Sequence, residues 1–94
     1  MKKYELLTDD TVTAPNGATL YRIRSLVAIA ALGLPAGELG GYIEAEKNLS
    51  HSGTAWVSGN ARVYGNAKVS GNARVSGDAQ VYGDARVYGD ACPT

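Results

Sequence analysis

"VSGNARVYGNAKVSGNARVSGDAQVYGDARVYGDAC", residues 57–92, states one six-residue unit six times. The unit reads aliphatic, x, Gly, Asn or Asp, Ala, x. Valine takes the first slot at positions 57, 63, 69, 75, 81 and 87, and alanine the fifth at 61, 67, 73, 79, 85 and 91. Such self-similarity decides the fold ahead of any local propensity. Six is not a helical period, and turns this frequent leave no room for hairpin strands of ordinary length. A valine between polar neighbours, followed by Gly-Asn or Gly-Asp, describes a very short strand and then a corner. Gly, Asn and Asp are the residues that tolerate left-handed backbone angles there.

Followed backwards, the phase weakens. Residues 51–56 read HSGTAW, with His51 in the aliphatic slot. Residues 45–50 read AEKNLS, placing Ala45 and Leu49 inward, and residues 39–44 read LGGYIE, giving Leu39, Gly41 and Ile43. Nine hexapeptides then fill residues 39–92 without an inserted loop.

This pattern resembles the hexapeptide-repeat family. The resemblance implies an all-β fold: a left-handed parallel β-helix in which three hexapeptides make one 18-residue coil. The three coils expected are 39–56, 57–74 and 75–92, stacked at the ~4.8 Å spacing of paired strands. Residues 18 apart then lie over one another. Asn60 meets Asp78, Asn66 meets Asp84 and Asn72 meets Asp90, so the change from Asn to Asp after three repeats avoids like charges on adjacent strands. Leu39, Val57 and Val75 form one column, and Ala45, Val63 and Val81 another. Glu44 falls over Arg62, Tyr64 over Tyr82, and Trp56 over Arg74, the last a candidate cation–π pair. Lys68 over Arg86 is the one unfavourable column.

Residues 1–38 carry no hexapeptide phase and read as a small β-rich cap. "YELL", "TVTA" and "TLYRIRSL" are predicted strands, with Pro15-Asn16-Gly17 as a hairpin turn. "VAIAALGLPAGELGG" is expected to be strand and loop. A solenoid needs protected ends. The cap covers the first coil, whereas Cys92-Pro93-Thr94 leaves the edge of the third nearly bare, open to a further stretch of chain or to another molecule.

The totals exclude several classes. Nine basic and nine acidic residues cancel, so the chain lacks the basic excess of a protein held by phosphate contacts, and no specific nucleic-acid binding is expected. The single cysteine, Cys92, provides neither a disulfide framework nor a cysteine-rich zinc site. Tyr4-Glu5 and Asp9-Asp10 interrupt the place of a signal peptide's apolar region, and the run Leu26–Leu32 is far short of the ~20 residues that span a bilayer. A soluble cytoplasmic protein with no membrane contact is expected.

The segment "LYRIRSL…PAGELGGYIEAEKNLSHSGTAWVSGNARVYGNA" is similar to the start of bacterial and phage hexapeptide proteins of the YdcK-like group, often described as acyltransferases. The matching positions are Arg22, Arg24, Gly37, Leu39 to Ile43, Asn48 to Ser50, Gly53, Trp56 and Val57. Those bacterial relatives have a far longer β-helix. In hexapeptide acyltransferases a histidine often acts as general base at a cleft between subunits of a trimer. His51, the only histidine, is the corresponding candidate and is of a type suited to that task near neutral pH. The plainer reading places it in a degenerate aliphatic slot above Val69, facing inward or into the cap.

Ser50 is no partner for His51, because adjacent side chains on a strand point to opposite faces. Gly37, Gly40 and Gly41 fit a tight turn into the first coil better than an anion-binding nest. One histidine per chain is a poor basis for a zinc site shared in a trimer. Tyr64 and Tyr82 are expected on one flat face, Tyr88 on another, with Trp56 near a corner beside Arg74. These five are the candidate interface residues, since Tyr and Trp are enriched at interfaces. The expectation is a non-catalytic binding or structural module without a cofactor, self-associating as a trimer or dimer. The phage side of the resemblance adds a host protein, such as a defence factor, as a partner. The alternative is an acyltransferase-like enzyme taking acetyl-CoA or another acyl-CoA.

Overall fold

A computed structural model describes residues 3–29, 33–51 and 54–88. Two long strands come first, β1 (Tyr4–Thr13) and β2 (Thr19–Ser25), then β3 (Leu39–Ile43) and a single 3₁₀ turn at Glu46–Asn48. Six two-residue strands follow: β4 (Trp56–Val57), β5 (Arg62–Val63), β6 (Lys68–Val69), β7 (Arg74–Val75), β8 (Gln80–Val81) and β9 (Arg86–Val87). The described chain is all-β apart from that one turn.

β1 and β2 form an antiparallel hairpin, closed at Pro15-Asn16-Gly17 by Ala14 and Ala18 across the turn. The stretches "YELL" and "TVTA", expected as two strands, are one strand whose register shifts between Leu7 and Thr11. In the next stretch Ile29 and Leu34 bridge each other, and Gly37 turns the chain at φ 88° into β3. β3 is the joint of the molecule. It pairs antiparallel with β2 on one side and parallel with β5 on the other.

From β4 onward the hexapeptide becomes a ladder. β4 pairs with β7, β5 with β8 and β6 with β9, all parallel and each three hexapeptides along: Val57 on Val75, Val63 on Val81, Val69 on Val87. Between strands the glycine of each unit takes φ between 64° and 70° while its Asn or Asp neighbour stays at negative φ. With Ala61 N–H donating back to Ser58 O, this is the pattern of a type II′ turn, which requires glycine at its second position. The valines at 57, 63, 69 and 75 are fully buried, each contributing ~1.5–3 kcal/mol. Burial fades downward: Ala61 and Ala67 are covered, whereas Ala79 and Val87 are half-buried and Ala85 is exposed.

The stretch expected as the first coil, residues 39–56, departs from the expected register. Tyr42 lies on Arg62, Ile43 on Val63 and Leu49 on Val69, an offset two positions longer than three hexapeptides. Ile43 and Leu49 therefore fill the aliphatic slots that had been assigned to Ala45 and His51. Leu39, expected over Val57, is 48% exposed and pairs with Arg24, and Glu44 does not face Arg62. The expectation of nine uninterrupted hexapeptides fails because eight positions, not six, separate Leu49 from Val57: Ser50 N–H donates to Val69 O and Thr54 N–H to Gly71 O, so the register changes by two between them. Asn48, fully buried, mends the neighbouring corner: its Oδ1 accepts from Ala45 N–H, and its Nδ2 donates to Gly65 O and Ala67 O. Glu44 Oε1 accepts the Gly65 amide at 2.8 Å.

Gly40 and Gly41 are not turn residues but close-approach residues within β3. A Cβ on Gly40 meets Val57 O at 2.5 Å, and one on Gly41 meets Ala61 O at 2.6 Å. The Asn-over-Asp column is observed where it falls among the described residues, with Asn66 Nδ2 donating to Asp84 Oδ1 at 3.3 Å. The Asn72–Asp90 pair and Cys92 lie outside them. Lys68 does pair with Arg86, so a like-charge pair on the solvent side is tolerated within the ladder.

Candidate functional site

The longer unit places His51 against the start of β1. Lys3 backbone N–H donates to His51 Nδ1 at 3.0 Å, and His51 Nε2 lies 2.8 Å from Glu46 Oε1. An acceptor role for Nδ1 fixes the tautomer with its proton on Nε2, directed at the carboxylate. The Tyr4 ring stacks on the imidazole, with centroids 4.1 Å apart and planes 9° from parallel. Both nitrogens and one ring face are thus engaged inside the chain. A side chain exposed to 26% remains.

Around this ring Lys3 and Tyr4 donate to backbone carbonyls of Ala55 and Leu49. Tyr4 is fully buried; its hydroxyl donates to Leu49 O and approaches Glu46 O at 3.1 Å, while its ring meets Trp56 edge-on. Burial, with the Glu46 carboxylate second, raises its phenol above the ordinary range. Lys3 Nζ donates to Ala55 O at 2.6 Å, and burial lowers its pKa to about 8. On the other side of the cap, Arg22 Nε lies 2.9 Å from Asp10 Oδ2 and its guanidinium sits 4.6 Å over the Tyr42 ring. Lys3, Tyr4 and Glu46 escaped the sequence reading because contacts between such distant parts of the chain leave no trace in a short period.

The five interface candidates divide. Trp56 and Tyr64 are 3% and 4% exposed, and the indole N–H of Trp56 has no acceptor among the described residues. Tyr82 and Tyr88 are 58% and 67% exposed, and Arg74 is exposed as well. Tyr64 and Tyr82 stack as their column requires, 5.5 Å apart. Tyr64 packs in a cluster with Ala14, Leu20 and Tyr42, and the exposed Tyr82 forms one wall of an open groove of about 430 Å3, with Pro15, Asn16, Tyr64 and Gln80. Tyr64 hydroxyl donates to Gln80 Oε1 at 3.1 Å, tying the groove floor together.

Among the described residues no group of three or more His, Cys, Asp or Glu side chains is placed to hold a metal ion. Nor is any described helix long and apolar enough to cross a membrane. The family model of the YdcK β-solenoid repeat matches residues 55–69, 67–79 and 79–92. Over these residues the chain is similar to a β-solenoid repeat, and the strand ladder from β4 to β9 agrees with that match. No curated protein matches the chain.

Proposed function

We propose that this chain is a non-catalytic β-solenoid module that works through protein–protein contacts, its repeat wound as the left-handed coil that the resemblance to the hexapeptide-repeat family implies. The observation that carries the reading is the engagement of His51. A general base needs a lone pair turned toward substrate. Here that of Nδ1 accepts the Lys3 amide, the Nε2 proton meets Glu46, and Tyr4 covers one face. The histidine acts as a clasp between cap and solenoid. The contact surface falls to Tyr82 and Tyr88, large amphipathic side chains exposed on the solenoid. A second copy packed side by side, as dimer or trimer, or a host protein would bury them.

The test is sedimentation velocity across a wide concentration range on the wild type, Tyr82→Ser and Tyr88→Ser. Self-association that weakens in either variant supports the lateral tyrosine surface. Association unchanged in both overturns that assignment.

The second reading, an acyl-CoA-dependent transferase with His51 at a subunit boundary, draws on the partial exposure of that side chain. It requires acetyl-CoA to bind, and the Lys3 clasp to open when it does.

A further inference from the structure

Asn16-Gly17 closes the hairpin of the cap, and it is the one Asn-Gly step in the sequence. The other four asparagines, at 48, 60, 66 and 72, precede Leu49, Ala61, Ala67 and Ala73. All four of those following residues are buried, and each carries a side chain that crowds its own amide nitrogen. At the hairpin tip Pro15, Asn16 and Gly17 are all exposed. A Cβ built on Gly17 meets nothing within 4 Å, so the space beside that residue is open to solvent.

The turn also sets the reacting groups in line. Asn16 Oδ1 accepts the Ala18 N–H at 2.9 Å, an Asx turn that folds the carboxamide forward along the Asn16–Gly17 peptide. The side-chain carbonyl carbon and the Gly17 nitrogen thus belong to one small hydrogen-bonded ring, and the bond to Oδ1 draws electrons from that carbon. Such placement replaces a bimolecular encounter with an intramolecular one. One contact opposes reaction. Gly17 N–H donates to Ala14 O at 2.9 Å and must be released before its proton can leave. That bond sits at an exposed tip, where local opening costs far less than unfolding. The amides after Asn60, Asn66 and Asn72 are held differently. They donate to Ser58 O, Tyr64 O and Ser70 O and belong to buried alanines, so releasing them requires the coil itself to open.

We infer that Asn16 is a site of spontaneous covalent modification, deamidating through a cyclic imide formed with Gly17. Base removes the Gly17 N–H proton, the nitrogen attacks Asn16 Cγ, and the N–Cγ bond forms as the Cγ–Nδ2 bond breaks. Nδ2 takes up a proton and leaves as ammonia. Water then opens the imide at either carbonyl. One opening gives aspartate, the other isoaspartate, with the main chain rerouted through the former side chain. Both products carry a new negative charge. It stands in the wall of the groove that Asn16 shares with Pro15, Tyr64, Gln80 and Tyr82. Isoaspartate also lengthens the turn by a main-chain carbon, which disturbs the Ala14–Ala18 pairing that closes the hairpin.

The test ages the full folded chain in mildly alkaline buffer and follows each asparagine by peptide mapping and mass spectrometry. Asn16 is expected to convert about tenfold or more faster than Asn48, Asn60, Asn66 or Asn72, because glycine alone leaves the attacking nitrogen unhindered. Aspartate and isoaspartate should both appear, and conversion should quicken as the pH rises. In Asn16→Ser, whose hydroxyl offers Ala18 an acceptor, the acidic form that accumulates on ion exchange of the aged wild type should be missing. A urea-unfolded sample of the same chain is the reference. Asn16 intact in the folded chain but converted in the unfolded one overturns the inference, because the turn then protects the site. So does conversion no faster than at the Asn-Ala steps, or aspartate formed without isoaspartate, which is the mark of direct hydrolysis.

Discussion

The backbone amide of Lys3 and Nδ1 of His51 meet at 3.0 Å, joining the residue before β1 to the stretch where the register of the repeat changes. Replacing the ring removes two hydrogen bonds and a stacked face, and leaves a partly buried Lys3 amide without its acceptor. His51→Ala is therefore expected to lower stability by ~1–3 kcal/mol in urea denaturation. His51→Asn, whose side-chain oxygen offers an acceptor, is expected to recover part of that loss. A His51→Ala protein as stable as wild type contradicts the clasp.

Lys3 and Tyr4 give the cap an alkaline signature. The folded pKa of Lys3, about 8, lies below its ordinary 10.5, so the unfolded chain binds more protons between these values and stability rises with pH across that window. Tyr4 acts in the opposite sense. Its folded pKa is raised above the ordinary 10.0, so its contribution is complete below pH 10 and is lost as the pH climbs further. Thermal melts should therefore show stability rising from about pH 8 toward 10 and turning down above it. Lys3→Met should flatten the rise and Tyr4→Phe the fall.

Gly41 is a tight point between cap and coil. A methyl group there meets Ala61 O at 2.6 Å and Val57 Cγ1 at 2.7 Å, and backbone cannot swing aside as a flexible side chain does. Gly41→Ala is expected to cost ~1–3 kcal/mol, the range for overpacking, read as a lowered melting temperature. An unchanged melting temperature refutes the close approach.

The amide-over-carboxylate column makes a reciprocal prediction. Asn66→Asp sets a second carboxylate on the rung above Asp84, and is expected to destabilise by a few tenths of a kcal/mol up to ~1. Salt should lessen the effect, since the pair is exposed. Adding Asp84→Asn should restore stability. A single variant as stable as wild type at low salt removes the charge explanation for the Asn-to-Asp change.

The ladder from Val57 onward was legible because each unit repeats the same three demands: a buried aliphatic, a glycine at positive φ and a small alanine. The stretch before it was not, because the register changes by two between Ser50 and Thr54 and periodicity carries the phase straight through. One signal was present. Ile43 and Leu49 are six apart and Leu49 and Val57 eight, so reading aliphatics alone, without insisting on the alanine slot, locates the insertion. The tyrosine column held, but its exposure was not readable: Tyr64 packs with Ala14, Leu20 and Tyr42, whereas Tyr82 stays exposed. Lys3 and Tyr4 lie outside any repeat, and only the folded chain shows what they satisfy.

The most direct measurement is a calorimetric titration of the purified protein, at known oligomeric state, with acetyl-CoA. A non-catalytic module with His51 clasped to Lys3 and Glu46 predicts no heat of binding up to millimolar ligand. Saturable binding that disappears in His51→Ala would contradict the account and make that histidine part of an acyl-donor site.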